Sequence, residues 1–376
     1  MLVERLTERD YEEALAVLNA SFAKNGVPAD FEQNLPIMWT REKDYMRLHF
    51  GIREGGRLVA LLGVYPLPVR VAGRELLFST VGNVGTLPEA RGKGCMKALM
   101  DAAMQELDRI GADASRLGGL RSRYNRFGYD HCGSRYGFLL TARNAAEHPA
   151  RPLTFHALGR NDDDLAFARR CHERLPMYAV RPTQTDFYMT LCAWGCRPFL
   201  ARDASGAPVG YLSAAPGSTS VAEQGTVGSL SAVELLTAWR DAQELPEVRF
   251  QLAPFELRDV DAALRVCEGW SVADPSMFRI VHWDKVADAF LALRAQMARE
   301  AGGALSDGLV RLGIEDWGVL ELEVRGGCTR AARTDAPAEL RLDRLAAARR
   351  LFGPVPPAAN PGWFPLPLSW NGQDRV

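Results

Sequence analysis

The chain has 376 residues, 47% of them hydrophobic and 24% charged, and a formal net charge of −1. That balance suits two or three globular domains at ~100–200 residues each, and it excludes the strongly basic footprint of a nucleic-acid binder. Seven scattered cysteines (Cys95, Cys132, Cys171, Cys192, Cys196, Cys267 and Cys328) argue against a secreted disulfide framework and for buried free thiols.

The chain opens on charged residues with no apolar signal segment, and no stretch reaches the ~18 uninterrupted apolar residues of a membrane span. A cytoplasmic protein with no membrane partner is expected. Val3 to Leu6 predicts a short strand. Thr7 and Asp10 stand in capping-box positions before a helix with the stripe Tyr11, Ala14, Leu15, Leu18 and Phe22. Phe31 to Thr40 reads as a connector that lines a cleft or covers a core. Apolar runs either side of Gly55-Gly56 predict a hairpin of Tyr45–Ile52 and Arg57–Tyr65. Pro66 and Pro68 interrupt, Ala72-Gly73 predicts a second turn, and Ser79 to Leu87 is a further strand. After a turn from Pro88 to Gly94, Cys95 to Ile110 is an amphipathic helix closed by Gly111. Ala114 to Leu120 is strand-like.

A second unit begins near Pro152, with helices over Asp162–Glu173, Gln184–Trp194 and Ser231–Asp241, and a strand over Val248–Leu252. Its segment Phe199–Pro216 repeats the strand, acidic or glycine turn, strand and proline plan of Gly51–Pro66. Two unrelated hairpins would look alike too, so duplication and coincidence both stand. A third unit starts near Ser276, with a helix over Asp284–Ala301, strands over Leu309–Ile314 and Gly318–Val324, and a helix-rich end over Leu340–Leu351. The tail to Val376 is rich in Pro and Trp, too apolar to stay solvated. Cys192 and Cys196 lie near His172 but lack a second ligand pair at zinc spacing, so no metal is expected.

The chemistry concentrates in Val81–Leu99: strand, glycine-rich turn, helix. The first turn of a helix carries unpaired N–H groups and a partial positive end. Glycines let an anion approach, and Arg91 and Lys93 add charge, which together suit a pyrophosphate. Two rivals fail. A Walker loop needs Gly where Leu87 stands and Ser or Thr where Gly94 stands; a dinucleotide fingerprint needs Gly where Lys97 stands. The remaining pattern is the acyl-CoA loop, with Val84 to Ile110 as its strand–loop–helix frame.

Pro88-Glu-Ala-Arg-Gly-Lys-Gly-Cys-Met96 resembles motif A of the GNAT (Gcn5-related N-acetyltransferase) superfamily, except that Met96 stands where Gly or Ala is usual. Arg123-Tyr-Asn-Arg-Phe-Gly-Tyr129 is similar to its Phe-Tyr-x-x-x-Gly-Phe element. The order of units resembles the Eis-like (enhanced intracellular survival) acetyltransferases, which tolerate a bulky residue at the Met96 position. The resemblance implies an α/β fold of mixed sheets with a GNAT domain over 1–148, a degenerate GNAT-like unit over 149–274, and a sterol-carrier-like domain over 275–376.

It further implies acetyl-CoA as co-substrate, held by Val84, Gly85, Thr86, Arg91, Gly92, Lys93, Gly94, Cys95 and Met96. Tyr124 matches the general acid toward the thiolate, with Tyr129 as runner-up. The terminal carboxylate of Val376 matches the group that serves as base or ammonium anchor. The acceptor is a primary amine such as an aminoglycoside, a polyamine or a lysine side chain, and the protein a homo-oligomer. Two other readings stand beside this: a non-catalytic acyl-CoA or lipid-binding protein, opposed by Tyr124 and the intact loop, and an aminoacyl-tRNA-dependent transferase, opposed by the near-neutral charge.

Overall fold

Thr7 and Asp10 form the expected cap, with Thr7 N donating to Asp10 Oδ2 at 2.7 Å. In this computed structural model, which describes residues 1–160, 163–353 and 362–374, a short 3-10 turn follows and then the helix Tyr11–Ser21. Tyr11, Ala14, Leu15 and Leu18 are buried; Phe22 lies just past the helix end and is 45% exposed, off the predicted stripe. Phe31, Leu35 and Trp39 are buried in the same core, so the connector covers the first sheet.

The molecule is a mixed α/β protein. Its largest sheet runs Glu4–Arg5, His49–Glu54, Arg57–Val71, Arg74–Thr86, Ala114–Leu117, Ser276–Ile280 and Asp130–Cys132, with Met177–Ala179 also paired to Arg57–Val71. The prolines do not interrupt it, contrary to expectation. His49–Glu54 pairs only as far as Gly63, and Met177–Ala179 begins at Val69. Pro66 and Pro68 fall in the gap, on the edge where a missing N–H costs no ladder bond.

Ser276–Ile280 is antiparallel to both Ala114–Leu117 and Asp130–Cys132 and completes the first sheet from far downstream. Arg135–Thr141 instead pairs with Glu247–Leu252 and Gly269–Ala273. A four-stranded sheet orders Val221–Thr226, Pro208–Ala214, Arg197–Arg202 and Thr154–Ala157, and another orders Cys328–Thr334, Gly318–Arg325, Gly308–Ile314 and Leu340–Leu342. The segment expected to be helix-rich from Leu340 thus opens with a strand, parallel to Gly308–Ile314. Asp343 then caps the helix Arg344–Phe352, its carboxylate accepting from Ala346 N at 2.7 Å. The helix predicted from Asp162 begins at Leu165; Asp162 itself lies outside the described residues.

The tail ties these parts together. Trp363, Phe364, Leu366, Leu368 and Trp370 are buried in one core with Phe78 and Phe278 of the first sheet and Phe290 and Phe352 of the last unit. The Trp370 ring stacks on Phe78 at 5.6 Å and 13°. Each such burial contributes about 1.5–3 kcal/mol, which is why the tail is extended and packed as its composition predicts.

Candidate active site

Two adjacent parallel strands separate at the centre of the first sheet. Arg74–Thr86 pairs with Ala114–Leu117 from Phe78 to Val81, and the ladder ends there. On its other side the same strand bulges. Gly82 pairs with Gly63 and Gly85 with Leu61, so Asn83 and Val84 together oppose Leu62. Asn83 takes φ +53°, a left-handed conformation that Asn tolerates better than most residues. Val84 therefore lies in the bulge and Gly85 and Thr86 follow it, beside a strand that has already diverged.

A buried polar chain holds the bulge from behind. Asn83 Nδ2 donates to Tyr65 Oη, which lies 2.7 Å from His49 Nε2, and His49 Nδ1 lies 3.0 Å from the Tyr45 carbonyl. Burial pushes the His49 pKa down to about 4, so the ring is neutral at pH 7. The carbonyl can only accept, which puts the His49 proton on Nδ1 and makes Tyr65 the donor to Nε2. Gly63 must be glycine because any side chain there would collide with the Tyr65 hydroxyl. Sequence reasoning missed this chain; its one visible signal was an Asn inside a strand-like run.

The turn after the bulge is open. Arg91, Gly92, Lys93 and Gly94 are exposed. Gly92 and Gly94 have φ +79° and +89°, and a side chain on either would meet nothing within 4 Å. The helix Cys95–Ile110 follows, with Gly94 at its N-cap and no side chain closing the cap. Its first N–H groups thus lie beside open space in which an anion could approach the backbone closely.

Arg91 has only long contacts, to the Thr86 carbonyl at 3.3 Å and the Ser21 carbonyl at 3.5 Å. Lys93 Nζ donates to Glu54 at 2.7 Å, and that hydrogen bond raises its pKa. Met96 packs against the core edge, so its bulk does not fill the turn. Arg126 Nη2 stands 4.0 Å from the Met96 sulfur and adds a cation beside the helix start that the motif did not flag. Cys95 is buried, its thiol pKa raised chiefly by burial.

Past the diverging strand, Gly118-Gly119 leads into the short helix Arg121–Tyr124. The Tyr124 ring lies against Gly119, where a Cβ would sit 3.0 Å from Cε2. The ring is buried, yet its hydroxyl has no hydrogen bond to any described residue. Burial raises its pKa, so the phenol is protonated at neutral pH. Tyr129 differs: it is fully buried, and its hydroxyl is engaged by Ser115 Oγ at 2.7 Å. Of the two tyrosines, Tyr124 has the free proton.

The described tail ends beside a buried cluster around Arg181. Arg181 is buried, donating to both Glu223 oxygens at 2.9 and 2.7 Å and to Asp374 Oδ1 at 3.0 Å. Tyr211 and Asn371 also donate to Glu223, at 2.7 and 2.8 Å. Val376 lies outside the described residues. All seven cysteines are free, with Cys328 exposed and Cys192, Cys196 and Cys267 half-buried. His172 bonds the Ala179 carbonyl at 2.9 Å, and no group of three or more His, Cys, Asp and Glu among the described residues is arranged to hold a metal.

Residues 3–132 match the family model described as "Acetyltransferase (GNAT) domain". No curated protein matches the chain. Among solved structures, the chain is similar to a probable N-acyltransferase from Enterococcus faecalis, with TM-score 0.65, 14% identity, and 93% of this chain and 89% of that one covered. It is similar to a GCN5-related N-acetyltransferase from Kribbella flavida at TM-score 0.64 and 19% identity, covering 91% and 86%. It is also similar to Eis1 from Mycobacterium abscessus at TM-score 0.59 and 16% identity, covering 92% and 88%. At these identities the likeness is one of fold.

Proposed function

We propose that this chain, which carries an acetyltransferase (GNAT) domain, moves an acetyl group from acetyl-CoA to a primary amine by direct transfer in a ternary complex. The observation that carries the reading is the convergence of three features: the bulge at Asn83 beside a diverged strand, the open helix start at Gly94, and the unengaged Tyr124 hydroxyl. The backbone of Val84, Gly85 and Thr86 holds the pantetheine, with one N–H polarising the thioester carbonyl. Arg91, Gly92, Lys93, Gly94, Cys95 and Met96 hold the pyrophosphate, and Arg126 adds charge.

The neutral amine attacks the carbonyl carbon. The C–S bond breaks as the C–N bond forms, and Tyr124 gives its proton to the leaving thiolate. The α-carboxylate of Val376 anchors the substrate ammonium or relays its proton through water, since an unperturbed carboxylate is a weak base for an alkyl ammonium. The acceptor is an aminoglycoside, a polyamine or a lysine side chain. We read residues 149–274 as a degenerate second GNAT-like unit and 275–376 as sterol-carrier-like, in a cytoplasmic homo-oligomer.

The test is thiol release from acetyl-CoA with a panel of primary amines. Amine-dependent release of one thiol per acetylated product is expected. Tight CoA binding with no release for any amine would instead favour a non-catalytic acyl-CoA carrier.

A further inference from the structure

Tyr124 sits in a loop that cannot hold itself. The loop runs from the end of Ala114–Leu117 to the start of Asp130–Cys132, and it contains the four-residue helix Arg121–Tyr124 and the 3-10 turn Asn125–Phe127. A single turn of helix fixes several dihedrals for one hydrogen bond and is unstable alone. Its closure onto Tyr124 is thin, with Tyr129 N reaching the Tyr124 carbonyl at 3.4 Å. A phenol that hands a proton to a leaving sulfur has to be held within hydrogen-bond reach of it. The position of Tyr124 therefore comes from outside the loop.

Contacts from far along the chain supply it. Ser276 Oγ donates to the Leu117 carbonyl at 3.0 Å, where the loop begins. Arg279 Nη1 donates to the Phe127 carbonyl at 2.8 Å, near where it ends. Gly128 follows at φ +81°, and a side chain there would collide with that guanidinium. The Tyr124 helix itself is held between them. Arg121, three residues before Tyr124, donates Nε and Nη2 to the two oxygens of Asp130, at 2.6 and 3.1 Å. Asp130 is 1% exposed. Its Oδ1 also accepts from His131 N at 2.9 Å, and its Oδ2 from Arg349 Nη1. Arg349 stands 219 positions downstream in the helix Arg344–Phe352, whose last carbonyl accepts from Gly133 N at 2.5 Å.

Two guanidiniums thus converge on one buried carboxylate. The Arg121 and Arg349 side chains are themselves 50% and 47% exposed, so the fixed point of the cluster is Asp130. A forked pairing is directional, and it sets the rotation of the short helix because Arg121 and Tyr124 lie one turn apart. We propose that Asp130 is the positioning residue for Tyr124, and that Arg349 completes it by holding the second carboxylate oxygen, so that the downstream helix Arg344–Phe352 sets where the acid stands. This rests on the acid role of Tyr124 in the proposed transfer. Asparagine cannot replace Asp130: its amide offers one acceptor, and its NH2 group faces the other guanidinium, donor against donor.

The experiment measures kcat and the KM for acetyl-CoA in Asp130→Asn and Arg349→Met, each made in the unaltered chain and in Tyr124→Phe. In the unaltered background kcat is expected to fall about tenfold or more, with CoA affinity by calorimetry kept within about twofold. In the Tyr124→Phe background the same changes should lower kcat by less than about twofold further, because residues that act as a unit are not additive. An equal fall in both backgrounds means a merely structural role and overturns the proposal, as does no fall in either. Hydrogen exchange of the amides of residues 119–128, read by mass spectrometry, needs no turnover. It is expected to quicken in both variants while the helix Cys95–Ile110 exchanges as before. Unaltered exchange overturns the proposal even where acetyl transfer is demonstrated. If Tyr124→Phe alone leaves kcat unchanged, the acid reading falls, and exchange alone then decides whether Asp130 places Tyr124. Should Asp130→Asn fail to fold by near-UV circular dichroism, Arg349→Met, at its half-exposed site, carries the same tests.

Discussion

Tyr124 and Tyr129 are five positions apart on one motif, and sequence alone could rank them only by resemblance. Their surroundings separate them. Tyr129 is held by Ser115, whereas Tyr124 keeps a hydroxyl with no bond to the described residues. Tyr124→Phe removes that proton and little packing. It is expected to lower kcat about a hundredfold or more, with the KM for acetyl-CoA and the melting temperature nearly unchanged, measured by steady-state kinetics and calorimetry. The acid acts when protonated, and burial raises its pKa above the ordinary 10.0. The alkaline fall in kcat assignable to Tyr124 therefore lies above the ordinary tyrosine range. A fall at pH 9 in the unaltered chain that is lost in Tyr124→Phe would contradict the raised pKa, and a fall that persists in Tyr124→Phe belongs to another group. Asn83 shows the opposite limit. Its role depends on Tyr65 and His49, residues 18 and 34 positions away, and no local pattern announces such a chain.

At the scale of elements, the loop and helix were the most legible part of the chain. The predicted helix Cys95–Ile110 is the observed one, because its stripe, its glycine N-cap and its Gly111 C-cap are all local signals. Gly94 has two duties there: a left-handed backbone and an unobstructed approach for an anion. Gly94→Ala is expected to cost about 1–2 kcal/mol in backbone strain, a fall of about 1–3 °C in melting temperature for a chain of this size. It should raise the KM for acetyl-CoA about tenfold while kcat changes less, since the phosphate end binds alike in ground and transition states. Titration with CoA would check the binding loss directly. The prolines at 66 and 68 misled because their cost depends on which neighbour the strand has, and a gap between two partners removed it. Leu340–Leu342 became a strand because Gly308–Ile314 offered a parallel edge, which no propensity of three residues encodes.

At the scale of the molecule, the tail and the Arg181 cluster join distant parts of the chain. Arg181→Met would leave Glu223 and Asp374 without their cation in a buried setting. A loss of about 3–5 kcal/mol is expected, read as a lower urea midpoint together with faster proteolysis of the tail. Burial alone would raise the Glu223 pKa, but the Arg181 guanidinium outweighs it and holds the carboxyl below its usual 4.5. The stability from this pair is thus complete above that value and lost only as pH falls through the lower folded one, so mild acid should leave it intact. Adding two residues after Val376 tests the terminal carboxylate. Amine acetylation is expected to fall at least tenfold, with CoA affinity retained; full activity in the extended chain would end that role.

By itself the sequence determined the features whose physics is local: the α/β class, the open glycine turn, the amphipathic helix behind it, and a tail too apolar to remain in water. It named Val84 to Ile110 as the frame of the site, and the structure adds the bulge at Asn83 that sets Val84 apart from its neighbours. Only the tertiary structure decided that Ser276–Ile280 completes the first sheet, that Trp370 stacks on Phe78, and that Arg181 binds the end of the tail. Those contacts join residues more than 150 positions apart. Their energy comes from burial and pairing between surfaces that exist only after each element has formed, so no window of the sequence contains them.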